Sequence, residues 1–419
     1  MTDFTPQPSC ADNQDTTSLN VQQAQQRITN LVMPLTSWES VPLRNSLDRV
    51  LHQSIISPIN VPPHNNSAMD GYAIHSSDIT SNSFTLKQIG TAFAGQPYSG
   101  SIKPGECIRI MTGAMMPSDC NTVVMQEHVE ANNNIITFHG KQQQGQHVRS
   151  AGEDLSTGEI VLTEGHKITA ADLGLIASLG FSEVTVKRKL RVAFFSTGDE
   201  LCSIGEILEP GQIYDSNRYT LYGMLKQHNV DMLDMGVVPD EKKALREALQ
   251  LASQQADVVI TSGGVSVGEA DYVKEILADI GQVDFWKIAM KPGRPLAFGK
   301  INETLFFGLP GNPVSVMVTF YQFVSTALKQ LAGEPNHITH TMQVNCISSI
   351  RKRTGRFEFQ RGILFTDKQG HSQVKTTGEQ GSGILRSMSI ANCFILLDED
   401  CDGVTPNTLV TVQPFSGLI

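Results

Sequence analysis

Between Leu190 and Leu331 short apolar runs alternate with amphipathic helical stretches, and this alternation leaves few folds open to the chain. An apolar run at 191–195 meets a Gly-containing turn at 196–199. The pattern then predicts a helix from Ser216, a strand at 230–235, and a helix at 241–255 with Leu245, Leu249 and Ala252 on one face. A strand at 257–260 runs into a Gly-rich loop, followed by a helix at 271–279 and a strand at 283–290. Strands near 296–298 and 305–307 precede a long apolar helix at 314–331. Strands and helices at this spacing predict a doubly wound α/β domain over 188–332. Ligands of such sheets bind outside the carboxyl ends of the strands, where these loops fall.

The flanking texture differs. Residues 1–17 are polar and lack apolar periodicity, which predicts a mobile tail. Helical spacing of Val21, Ala24, Ile28 and Leu31, then Leu43, Leu47 and Leu51, marks 18–56. Short β-type runs at 84–89, 107–111, 122–129 and 134–138, separated by Gly, Pro and Asn clusters, predict a β-rich domain over 57–150. A helix near 168–179 ends at Gly180, and 18–56 with 151–187 reads as one segmented first domain around the β-rich insertion. From 333 to 419 alternation at 341–347, 357–365, 393–397 and 408–412 predicts a C-terminal β-barrel domain.

Charge and cysteine usage exclude several classes. Net charge is −10 and no lysine- or arginine-rich run occurs, so nucleic acid is not an expected partner. No apolar run is long enough to span a bilayer, and no basic segment leading into an apolar stretch opens the sequence. The seven cysteines are scattered and never spaced CxxC, which argues against a disulfide framework or structural zinc. A cytoplasmic protein with reduced thiols is expected. An anionic ligand must then be met locally, by backbone N–H groups, a few cations or a divalent metal.

Five loops have that chemistry. Thr261-Ser-Gly-Gly-Val-Ser-Val-Gly268 follows a buried strand; Gly263, Gly264 and Gly268 allow close backbone approach, and Ser262 and Ser266 can cradle a phosphate. It fits neither GxGxxG nor GxxxxGK[ST]. In Ser196-Thr197-Gly198-Asp199-Glu200 the hydroxyls suit an anion and the carboxylates suit Mg²⁺, while a plain helix cap explains the loop equally well. Asp240 and Asp271 open predicted helices, so each can be a metal ligand or an ordinary cap. Lys287, Lys291 and Arg294 bring cations into a Pro-Gly turn, as phosphate ligands or as a solvated turn. Pro310, Pro313 and Ser315 in Leu309-Pro-Gly-Asn-Pro-Val-Ser315 make a rigid helix start that accepts an anion or merely caps the helix. Outside this domain, Asp70 in Asn65-Asn-Ser-Ala-Met-Asp-Gly-Tyr72 reads as a turn residue or a site residue. Residues 145–154, with Arg149, Glu153 and Asp154, are equally open.

Read together, NSAMDGYA (66–73), MTGA (111–114), VVMQE (123–127), GED (152–154), STGDEL (196–201), TSGGVSVGEADY (261–272), MKPGRP (290–295) and GLPGNPVS (308–315) resemble the MoeA-type molybdopterin molybdenumtransferase family, which is related to the C-terminal domain of gephyrin. The resemblance covers nearly the whole chain after the tail. It implies a homodimer of four-domain subunits, with an active-site cleft between the α/β domain of one subunit and the first and last domains of the other. It carries Asp70, Thr112, Arg149 and Asp154 over as cleft residues, and Glu200, Asp240, Asp271, Lys287 and Lys291 as the charged groups of the α/β domain. Pro310 and Pro313 shape the pocket, and Ser382 matches a partner-subunit position. Four positions depart from the family pattern: Asn65 where an acid is usual, Met115 and Met116 in place of a proline-like turn, and Arg294 where lysine is frequent.

The resemblance and the local chemistry together imply an enzyme of molybdenum cofactor biosynthesis. It inserts molybdate into adenylylated molybdopterin and releases molybdenum cofactor and AMP. Mg²⁺ is expected among Glu200, Asp240 and Asp271. Lys287, Lys291 and the loop 264–268 are expected to stabilise charge at the phosphoanhydride, and Arg149 and the Ser315 helix end to meet molybdate. A pterin-adenylating protein and molybdoenzymes are the expected partners. Two rivals stand beside this reading. A molybdopterin adenylyltransferase would use ATP, which the flanking β domains disfavour. A non-catalytic pterin carrier or scaffold would not need the ionisable motif residues.

Overall fold

The computed structural model describes residues 18–264, 272–334 and 339–415. The chain divides into two compact units: 40–186 forms one, and the residues before 40 together with those from 187 onward form the other.

The second of these holds a six-stranded sheet in the order Asp231–Val238, Arg191–Thr197, Val258–Ser262, Thr304–Leu309, Pro295–Ile301, Gln282–Lys287. The first four strands are parallel, and Pro295–Ile301 runs antiparallel to both of its neighbours. Strands Val258–Ser262 and Thr304–Leu309 are buried along their whole length. Helices cover both faces of the sheet, so its central strands read as continuous apolar runs rather than alternating ones. Val192 and Phe194 pack toward Leu221, Leu225, Val316 and Phe320. Ala193 and Phe195 point the other way, toward Leu245, Leu249 and Ile276. Helix Val21–Leu31, capped by the reciprocal Asn20–Gln23 pair, adds Val21, Ala24 and Ile28 to the first of these cores. The long apolar stretch after Pro313 is helical to Leu331, with a π-helical turn at Phe320–Val324.

A closed barrel follows. Strands Phe357–Thr366, Ser372–Thr376, Met342–Cys346, Thr408–Pro414 and Cys393–Leu397 pair in that order, and the last returns to pair with the first. The two-residue strand Met290–Lys291 joins its rim beside Phe357 and Glu358.

In the 40–186 unit a six-stranded sheet runs Thr122–Met125, Gly71–Ile74, Glu106–Ile110, Ser83–Ala92, Ile135–His139, Val129–Asn132. A separate core joins Val41, Leu51 and Ile55 to Leu155, Ile168, Ile176 and Val186, so stretches on both sides of the sheet in sequence share one apolar cluster. Leu43, Leu47 and Leu51 do not form the helix that their spacing predicts. Leu47 is exposed, Asp48 has φ 62°, and only a single 3₁₀ turn forms at Leu43–Asn45.

Asp257 ties together the starts of two central strands. Its carboxylate accepts from Arg188 Nη1 and Nη2 at 2.8 and 2.7 Å and from the Arg191 N–H at 2.8 Å. Burial pushes this carboxyl up, but the Arg188 fork and the Arg191 N–H outweigh it and leave the group below its ordinary value. A depressed folded value means that the stabilisation is complete above the unfolded value and is lost as pH falls through the folded one. Asp257→Asn is therefore expected to lower unfolding free energy by about 2 kcal/mol at pH 7. The gap to the parent should close below about pH 4 in denaturant titrations.

Candidate active site

Strand Arg191–Thr197 opens the α/β domain, and the next two strands of the parallel set flank it on opposite sides. The connections therefore diverge at its carboxyl end, which opens a crevice there. A cleft of about 750 Å³ lies at this point. Thr197, Gly198 and Glu200 line it from the first loop, Gly263 and Gly264 from the second, and Asp240 from the end of strand Asp231–Val238. Lys291, Arg294, Pro310, Pro313 and Ser315 complete the wall on the α/β side. Ser382 enters from the barrel domain with Gln380 and Gly381.

The cleft floor is held by a polar network that the sequence does not announce. Ser196 Oγ and Ser262 Oγ lie 2.9 Å apart, and Ser196 donates to Asp215 Oδ1 at 3.0 Å. Asp215 is buried and caps helix Ser216–Lys226 by accepting the Arg218 N–H. Ser196 and Ser262 were expected at the ligand, but their hydroxyls are buried beneath the cleft and bind its two central strands to each other. Strand alternation explains this, because Thr197 and Gly263, one residue on, take the opposite side. Among the glycines that line the cleft, Gly263 allows the tightest approach. A Cβ there would stand 2.3 Å from the Thr197 carbonyl oxygen, and its φ is +91°.

Charge is divided across the cleft. Glu200 and Asp240 supply carboxylates; burial first, then the charges of Asp199 and Glu200, pushes the Asp240 carboxyl above its ordinary value. A half-buried carboxyl raised by acidic neighbours belongs to a hard-oxygen donor set that a divalent cation would relieve, so Asp240 and Glu200 fit Mg²⁺. Among the described residues no group of three or more His, Cys, Asp or Glu converges; Asp271, the third expected ligand, lies outside them, as do Ser266 and Gly268. Lys291, Arg294 and Arg356 supply the cations. Lys287 does not line the cleft; it is exposed at the end of edge strand Gln282–Lys287.

Arg356 and Gln380 lie outside the motifs that the sequence marks. The signal for Arg356 is the cluster Arg351-Lys-Arg-Thr-Gly-Arg356, a short exception to the expected absence of lysine- or arginine-rich runs; Gln380 has no such signal. Gln380 and its neighbours are positioned from inside the barrel domain. Gln380 exchanges hydrogen bonds with the Arg361 backbone, and the buried Arg361 guanidinium donates to the Gly381 carbonyl at 3.2 Å. Ser382 in turn accepts the Val314 N–H at 3.1 Å. The sequence leaves this helix start open as an anion acceptor or a plain cap, and its Val314 donor is engaged by the Ser382 carbonyl.

The remaining expected residues gather in the 40–186 unit. Thr112, Arg149 and Asp154 line a second cavity of about 540 Å³, with Ser67 and Glu153. Asp70 Oδ1 accepts the Thr112 N–H and hydroxyl, both at 2.7 Å, and the backbone bond above all holds this carboxyl below its ordinary value. Arg149 stands 3.9 Å from Glu153. Gly71, next to Asp70, is required by its neighbour, since a Cβ there would sit 2.0 Å from the Val124 carbonyl oxygen.

Comparisons with known proteins agree over most of the length. Three family models match in succession: the MoeA N-terminal region (domain I and II) over residues 19–180, a probable molybdopterin binding domain over 193–330, and the MoeA C-terminal region (domain IV) over 343–415. The chain is 42% identical over 407 residues to a molybdopterin molybdenumtransferase of Haemophilus influenzae, covering 96% of this chain and 100% of that one. It is 34% identical to the gephyrin of Dictyostelium discoideum, over 86% of this chain and 57% of gephyrin. A solved molybdopterin biosynthesis MoeA protein from Pyrococcus horikoshii superposes with a TM-score of 0.83 at 28% identity, covering 95% of this chain and all of that one.

Replacing Gly263 with alanine should cost roughly 2–4 kcal/mol, because both the positive φ and the Thr197 carbonyl oppose a side chain. Chemical denaturation measures it; an unchanged midpoint would mean that the strand ends at the cleft have room to move.

Proposed function

Because the chain belongs to the MoeA-type molybdopterin molybdenumtransferase family and is an enzyme of molybdenum cofactor biosynthesis, we propose that it inserts molybdate into adenylylated molybdopterin and releases AMP in a Mg²⁺-dependent reaction. The observation that carries this reading is the division of charge in one cleft at the switch point of a parallel sheet, with Glu200 and Asp240 opposed to Lys291, Arg294 and Arg356.

Glu200 and Asp240 would hold Mg²⁺, with Asp271 as a third carboxylate. Bound there, the ion supplies neutralisation of pyrophosphate charge. The glycines at 263 and 264 let the backbone approach the substrate closely, and Pro310 and Pro313 hold the facing loop rigid. Molybdate is an oxyanion, and within this cleft it would be gripped by Lys291, Arg294 and Arg356 beside Ser315 and Ser382. Preorganised cations of this kind stabilise charge as it develops at the phosphoanhydride. The enzyme is proposed to act in the cytoplasm, to receive its substrate from a pterin-adenylating protein and to pass its product to molybdoenzymes.

Single-turnover release of AMP from adenylylated molybdopterin tests the reaction. AMP and metallated cofactor should appear only with both molybdate and Mg²⁺, whereas tight binding without release would make the protein a carrier. Glu200→Ala and Asp240→Ala should each lower the single-turnover rate by at least about 100-fold with smaller effects on binding. Unchanged turnover in both would overturn the metal assignment.

The protein is also proposed to be a homodimer in which the Asp70 cluster of one copy serves the cleft of the other. Chains carrying Asp70→Ala and Glu200→Ala, each inactive alone, should then regain roughly a quarter of parental activity when mixed dimers are allowed to form. No recovery would overturn that arrangement.

A further inference from the structure

Lys291 faces two ways. It lines the cleft, and its Nζ stands 3.5 Å from Glu358 Oε1 on barrel strand Phe357–Thr366. The backbone builds this pair, because Met290–Lys291 runs parallel to that strand with Lys291 opposite Glu358. The two partners differ in freedom. The Glu358 side chain is 7% exposed and its other oxygen accepts from Gln360 Nε2 at 2.5 Å, whereas the Lys291 side chain is 57% exposed. The carboxylate is therefore the fixed partner and the ammonium, on its flexible stem, the movable one.

A buried carboxylate needs its counter-charge, and an oxyanion in the cleft needs the same one. Resting on the reading of this cleft as an oxyanion site, we propose that Glu358 is a positioning residue that competes with the substrate oxyanion for Lys291. It holds the ammonium against the barrel rim until the oxyanion arrives and draws it back as the product leaves. The strength of the cleft's grip on the oxyanion groups of substrate and product alike is thereby limited, which keeps product release from becoming the slow step.

This role has a sign that mere scaffolding does not share. A structural loss at the rim loosens Lys291 and weakens oxyanion binding; loss of a competing charge strengthens it. With molybdate alone as the probe and the full chain in the calorimeter, Glu358→Gln is expected to bind roughly three- to tenfold more tightly than the parent. In turnover, KM and kcat should fall together. The tightening should vanish when Lys291→Gln is combined with Glu358→Gln.

Glu358 also lends its charge to the buried Arg361, whose guanidinium burial pushes down to about 10. Should Glu358→Gln fail to fold, Glu358→Asp keeps the charge but retracts it by one methylene, and a tightening of roughly two- to threefold is expected. Weaker or unchanged molybdate binding in whichever of these variants folds overturns the competition. Lys291→Gln alone separates the two levels. If it leaves molybdate binding unchanged, the oxyanion reading of the cleft fails and this proposal with it; if it weakens binding while the Glu358 variants do not tighten it, only the competition fails.

Discussion

Strands Arg191–Thr197 and Val258–Ser262 end side by side in the middle of a sheet covered on both faces, and the rest of the cleft depends on that junction. Parallel strands buried on both sides leave only their ends for polar chemistry. At these ends the side chains divide between two tasks. Ser196 and Ser262 turn inward, join the strands and, through Asp215, fix the start of the next helix. Thr197, Gly198, Gly263 and Gly264 come out on the cleft side. Within this network Ser196 bonds both Ser262 and Asp215 Oδ1, while Asp215 Oδ2 has no hydrogen-bond partner among the described residues and stands 3.4 Å from Arg218 Nε.

The barrel domain contributes by a comparable device. Arg361 is enclosed almost completely, yet its donors reach Ser387, Phe359 and Gly381, so that the guanidinium supports the loop bearing Gln380 and Ser382. That loop then closes onto the helix start at Val314. The helix end thus acts partly as a structural dock, and the cations around the Pro-Gly turn carry more of the cleft's positive charge than the helix does. Carboxylates gathered near Asp240 and cations gathered near Lys291 belong to different loops, so neither cluster is formed by sequence neighbours alone.

Periodicity located most strands of the sheet, because strands buried on both faces and helices buried on one leave distinct apolar patterns. The strand expected at 283–290, however, ends at Lys287, and Met290–Lys291 pairs with the barrel instead. Periodicity also misled at 43–51, where leucines four apart meet a residue in the left-handed region at Asp48. The glycine and proline loops were legible as strand-end loops, and most of their residues do line one cleft. Lys287 is exposed at the end of the edge strand and is not among the described residues that line the cleft, a relation that its spacing from Lys291 in sequence does not reveal.

The sequence by itself determined the family, through long motifs in a constant order, and the alternating α/β pattern, through the burial each strand requires. The tertiary structure alone decided which hydroxyls face ligand and which face protein, that Arg356 and Gln380 join the wall, and that Glu358 stands beside Lys291. The reason is geometric: these relations join residues tens to more than a hundred positions apart, and a one-residue step along a strand reverses the face to which a side chain belongs.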